Sequence, residues 1–285
     1  MLWAALSLMS GLGDSILYSM VKKYKDCNTT VLLFVQNAFA LPFLAIFLLF
    51  NFPAKINPEI YWTTFLNAAL LLLSGYFLRR ALQTSQISIS LPLLSFTPLF
   101  LVGISYVMFR EKPDYSGLIG ILLIVFGAYI INVKTGSGFF GPLKSLYTVK
   151  GSFYVLMVSF VWAITSSLFK AGINYSNPTF YTTFVYFIMT VMMIPFLIPK
   201  SKEKFSEIKS NFKPFLLMGI ISAVMTTMAS VAMTMQNIAY VIALKRSSLV
   251  FSILIGYFYF KERGIKRALA GTLIMLLGGV LITLV

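Results

Sequence analysis

The sequence predicts an all-α membrane protein in which ten transmembrane helices form two inverted five-helix repeats. Three observations carry this expectation. The 285 residues are 59% hydrophobic and 11% charged, whereas soluble domains are about 25% charged. Apolar runs recur along the whole chain, each close to the roughly 20 residues a helix needs to cross a ~30 Å hydrocarbon core. The two halves of the chain also match each other at one fixed offset. The runs are continuous rather than alternating, which excludes a membrane β-barrel.

The opening MLWAALSLMSGLGDSILYSM reads as the first span, residues 2–21. It has no basic leading segment and no small-residue cleavage site, and it is too long for a signal peptide. Spans two and three fall at 30–50 and 60–78, separated by NFPAKINPE, whose Pro and Asn end helices. Span four, 87–109, contains Pro92 and Pro98, which break the hydrogen-bond ladder and supply a bend suited to gating. Span five is 115–133. A Gly/Lys-rich link, KTGSGFFGPLKSLYTVK, then divides a first repeat (1–134) and linker (135–150) from a second repeat (151–285). The remaining spans fall near 151–169, 179–198, 215–235, 238–260 and 265–285, with the charged segment PKSKEKFSEIKSNFKP between the seventh and eighth.

A shift of 151 residues places Ala81 on Ala232, Tyr106 on Tyr257, Phe109 on Phe260 and Glu111 on Glu262. The same shift pairs Gly120 with Gly271 and Gly127 with Gly278. Five spans per half is an odd number, so the second half enters the bilayer from the opposite side. Inverted repeats are the architecture of many secondary transporters, with the site near mid-membrane.

The doubled pattern of an apolar span ending in Phe-x-Glu, followed by a Gly-spaced span, resembles the drug/metabolite transporter superfamily in its two-repeat EamA type. The resemblance covers essentially the whole chain. It implies a ten-helix carrier of small metabolites, with a central cavity lined by the first four helices of each half. It leaves the cargo open among amino acids, sugars, nucleotide sugars and drugs.

Composition narrows the chemistry. The single cysteine, Cys27, excludes an internal disulfide and Cys-based metal sites, and the absence of histidine removes His-based acid–base catalysis and most transition-metal chemistry. No cofactor or metal is expected. The net charge of +15 reflects cations in short loops, so the expected partners are the bilayer and a small-molecule substrate rather than nucleic acid. The expected state is a monomer or homodimer in a prokaryotic plasma membrane. Seventeen Lys and Arg fall on the side of the odd-numbered loops, against four on the other side. That bias places the odd loops in the cytoplasm and both termini outside, the reverse of what the resemblance implies.

The feature that needs a functional explanation is Lys245–Arg246, about seven residues inside span nine. A cation at a helix centre costs on the order of 2.5–3.5 kcal/mol even on insertion scales. Snorkelling to the interface is the bland explanation. Against it, the two side chains point about 100° apart, and their counterparts in the first repeat are Leu94 and Ser95, so the repeat fold does not require charge there. Lys245 also heads a small and polar stripe that includes Ser248, Ser252 and Gly256, which reads as a cavity wall.

The stretch LKRSSLVFSILI is similar to the matching helix of the sugar-phosphate/phosphate translocators, a branch of the same superfamily. That resemblance implies phosphate binding by Lys245 and Arg246. The branch also uses a Lys in its fourth helix, where this sequence has Leu94. A guanidinium fork and a mobile ammonium suit an oxyanion in either case.

Asp14 lies on a polar stripe of span one with Ser7, Ser10, Gly11 and Tyr18. It is a candidate proton carrier, amine ligand or counterion for the basic pair. Other candidates for the cavity wall are Gln36, Asn37, Tyr76, Ser95 and Trp162; hydroxyls and small residues serve helix packing equally well. Arg79, Arg80 and Lys170 read as interfacial anchors. Glu111 and Glu262 are read as structural ties from helix ends to neighbouring Lys or Arg, with gating as the alternative. The leading function is a secondary carrier of a small anionic or zwitterionic metabolite, organic phosphates being its sharpest form. The alternative is an exporter of amino acids or of apolar or cationic drugs with Asp14 as the key charge. A membrane-embedded transferase is disfavoured by the absence of His and of paired intramembrane acids, and no Gly-rich nucleotide loop points to an ATP-driven pump.

Overall fold

Polar and helix-breaking residues cut the apolar chain into the helices observed. The computed structural model describes residues 1–84, 91–132, 150–246, 248–259, 261 and 265–284. The first span is α1 (Leu2–Lys23), which buries Ser7, Ser10, Gly11, Asp14, Leu17 and Tyr18 at helical spacing. It ends with Lys22 and Lys23 in its last turn, where cations meet the negative end of the helix dipole.

Asn28 caps the next helix by accepting from Thr30 N at 2.9 Å. Pro42 divides this span into α2 (Thr29–Ala38) and α3 (Leu41–Phe50), because proline lacks a donor and its ring clashes with the preceding turn. Gly219 makes room for the kink: a Cβ there would lie 2.5 Å from the Phe39 carbonyl carbon.

Span three is α4 (Ile60–Thr84). Span four begins as a 3-10 turn (Leu91–Phe96) and continues as α5 (Thr97–Phe109) with Pro98 in its first turn. The expected departure from a straight helix is therefore present, and Pro92 and Ser95 lie in the turn. Arg110 closes α5 in the left-handed conformation, φ 57°. Span five is α6 (Tyr115–Asn132).

The second half runs α7 (Lys150–Asn174), α8 (Pro178–Leu197), a short surface helix α9 (Ser201–Ser210) and α10 (Phe212–Met235). Asn177 caps α8, and Asn237 caps α11 (Ile238–Lys245). Span nine resumes as α12 (Ser248–Phe258), and α13 (Ile265–Thr283) completes the chain. Seven helices or helix pairs are long and apolar enough to cross a membrane, and three shorter apolar helices lie at Thr97–Phe109, Tyr115–Ile130 and Ala270–Thr283. These are the ten spans, in two five-span repeats of opposite sense. Glu262 and most of the linker lie outside the described residues.

The packing follows the repeat. Helix α1 packs on α10 as α4 packs on α7, and α6 packs on α13. At the last contact Gly120 faces Gly278 and Gly127 faces Gly271. Under the 151-residue shift these are one contact and its exchanged copy, the signature of a two-fold relation. Outward faces are apolar, with Leu73, Val107, Phe187 and Val191 among the exposed side chains. Lipid, not water, suits such a surface.

Two correspondences in the sequence reading need correction. Helix α4 runs to Thr84, so Arg79 lies inside the helix rather than at its end. Span nine is broken at Arg246 rather than continuous.

Candidate substrate cavity

A cavity of about 210 Å³ opens between the two halves. Its charged lining comes from Asp14 on α1, Arg79 on α4, and Lys245 and Arg246 at the end of α11. Tyr18, Gln36, Asn37 and Trp162 complete the part of the lining that the sequence pointed to. Much of the rest is apolar, including Leu33, Leu71, Met189, Met225 and Met233.

The break in span nine sets the position of the basic pair. Lys245 occupies the last turn of α11 and Arg246 is its C-cap, donating its backbone N–H to the carbonyls of Ile242 and Ala243. Both cations thus sit at the junction of α11 and α12, near the middle of the span. Discontinuous helices of this kind recur at transporter sites.

Lys245 Nζ lies 3.3 Å from Asp14 Oδ2. Arg246 is only 3% exposed and has a different set of partners. It donates to Thr97 Oγ1 at 3.0 Å, and that hydroxyl in turn donates to the Leu94 carbonyl. Its guanidinium carbon stands 5.0 Å from the Trp162 ring centre, a cation–π contact. Trp162 is oriented by donating from Nε1 to Ser74 Oγ at 3.1 Å. The Arg246 Nε is buried without an acceptor.

Arg79, also buried, donates to the Gly75 carbonyl at 3.0 Å and to Gln36 Oε1. Gln36 donates to Ser222 Oγ at 3.2 Å, and the Tyr186 hydroxyl meets both Ser222 and Thr226, at 2.9 and 2.7 Å. Arg79 and this hydroxyl group were missed in the sequence. The usable signal was Gly75 one turn before Arg79, which leaves room for the side chain to fold back along its own helix.

Two of the expected wall residues lie elsewhere. Tyr76 is 41% exposed and lines a separate polar cleft with Arg80 and Gln83. Ser248 is buried against α1, where its carbonyl accepts from Ser15 Oγ at 2.6 Å, so below Lys245 the stripe turns from the cavity to helix packing. Ser95 belongs to the turn before α5, and its side chain lies outside the described residues. Lys170 is no simple anchor: it pairs with Glu111 across the two halves, so the partner of Glu111 is not its sequence neighbour Arg110 or Lys112. Among the described residues no group of three Asp, Glu or Cys side chains comes together.

The comparisons agree with this architecture. The chain is 28% identical over 208 residues to an uncharacterized transporter of Archaeoglobus fulgidus, covering 72% of this chain and 69% of that protein. A crystal structure that is 12% identical superposes with a TM-score of 0.72 over 99% of this chain and 96% of the other, a likeness in fold alone. The sequence profile of the EamA-like transporter family matches twice, over residues 1–133 and 149–284, once for each half. The chain belongs to the EamA-like transporter family.

Proposed function

We propose that this transporter is a secondary carrier of a small anionic or zwitterionic metabolite, an organic phosphate being its sharpest form. The observation that supports this reading is Arg246. It is a permanently charged group, almost wholly buried in the central cavity; it is held by the Thr97 and Tyr18 hydroxyls and the Trp162 ring, while the nearby Asp14 carboxylate is shared with Lys245. A buried cation with no carboxylate of its own is costly, and an anionic cargo supplies the missing charge. Alternating access then follows from rocking of the two halves about the cavity.

The exporter reading, in which Asp14 greets a cationic drug or an amine, has its own support in the Met-rich apolar lining. It is weakened because Asp14 is already paired with Lys245.

The test is uptake into vesicles by purified protein. Arg246→Ala and Lys245→Ala are each expected to abolish uptake while leaving folded, extractable protein. Unchanged uptake, or loss of folding in both variants, would assign the pair a structural role instead.

A further inference from the structure

Three cations and one carboxylate line the cavity. Asp14 pairs with Lys245 at 3.3 Å and its charge also reaches Arg246. One carboxylate cannot balance three cations, and both guanidinium groups are hydrogen-bonded only to neutral partners. Arg246 is one. Arg79 is the other, and its surroundings look built rather than incidental. It is 8% exposed, so it does not reach out to the headgroups. A methyl group at Gly75 would lie 3.0 Å from its Nη1, so glycine there opens the berth. Gln36 of the first half holds its Nη2 and is itself held by Ser222 of the second half.

The Nε of Arg79 and the Nε of Arg246 are both buried with no acceptor. The two groups stand on different helices and are held by different groups: Arg79 by Gly75 and Gln36, and Arg246 by Thr97 and Tyr18. Arginine does not shed its proton to escape this cost. One anionic group would satisfy one of them and leave the other unmatched.

We propose that Arg79 is a second anion-binding group of the cavity and that the substrate is a small dianion, with one negative group met by Arg246 and the other by Arg79. This rests on the anion-carrier reading above and deepens it. The carrier then discriminates by charge count: a ligand with one anionic end leaves one buried guanidinium without a counter-charge, a penalty that disfavours it.

The experiment measures thermal stabilisation of the purified carrier by malonate, succinate and glutarate, each against its monoamide. The best dianion is expected to act at a concentration at least about tenfold below its monoamide, the worth of one charge-assisted hydrogen bond. Arg79→Gln should erase that preference while leaving monoamide binding in place. Gln36→Glu provides a second route. It sets a carboxylate against Arg79 in a side chain of nearly the same shape, and should raise stability while also erasing the preference. A wild-type protein that no dianion stabilises above its monoamide overturns the inference, as does an undiminished preference in either variant. Equal binding of dianions and monoamides would sink this inference alone. Stabilisation by tetraalkylammonium and by no anion would sink the anion-carrier reading with it.

Discussion

Asp14 and Lys245 form an ion pair at 3.3 Å that joins the first helix of one repeat to the fourth span of the other. Both side chains are largely buried, so removing one partner strands the other in a poorly solvated site. Asp14→Asn is expected to destabilise the protein by on the order of 3 kcal/mol. Asp14→Asn combined with Lys245→Met should recover most of that loss. Thermal unfolding in detergent reads both outcomes, and additive losses would show that the pair is not coupled.

Asp14 is also the carboxylate of the described cavity lining. If it carries the coupling proton, an imposed pH gradient drives uptake in the wild type and fails to do so in Asp14→Asn. Gradient-driven uptake that survives the substitution would remove Asp14 from that role.

The crossing of α6 and α13 depends on backbone contact. A Cβ on Gly278 would stand 2.5 Å from the Gly120 carbonyl oxygen, so Gly278→Ala must push the helices apart. The expected cost is about 1–3 kcal/mol. Gly103→Ala is the control, since a Cβ there meets nothing within 4 Å. It should be neutral or slightly stabilising. A comparable loss in both variants would mean that the glycines matter for some reason other than close approach.

Cys27 lies in the link between α1 and α2, outside the spans. Burial pushes its thiol up to about 12, and the Glu207 carboxylate nearby adds to the shift. The neutral thiol is therefore favoured, and a maleimide should label it slowly at pH 8, with a rate still climbing above pH 10. An unperturbed thiol, with pKa near ~8.5, would already be levelling off. Glu207→Gln should speed labelling at pH 8.

The sequence exposed those parts of the site in which a residue conflicts with its local background. Lys245 and Arg246 stood out because charge is expensive in an apolar run, and Gly120 and Gly127 stood out because each had a partner at a constant offset. Arg79 did not stand out, since a cation near the expected end of a span is the usual interfacial anchor. Only the extension of α4 to Thr84 places it inside. The break at Arg246 was equally hidden, with neither Pro nor Gly to mark it. The link from Glu111 to Lys170 spans 59 residues, a separation that no local pattern reports.

The exchanged glycine contacts have a consequence for how such a molecule arises. A five-helix ancestor paired about a two-fold axis with an identical copy of itself would keep the Gly120–Gly278 type of seam, which is complementary to its own duplicate. It would also carry every cargo-facing group twice, so a guest would be greeted identically at both ends. Fusing two copies into one continuous polypeptide frees each to diverge. Leucine at 94 opposite lysine at 245 is that freedom in use, and it makes the two ends of the cavity chemically distinct.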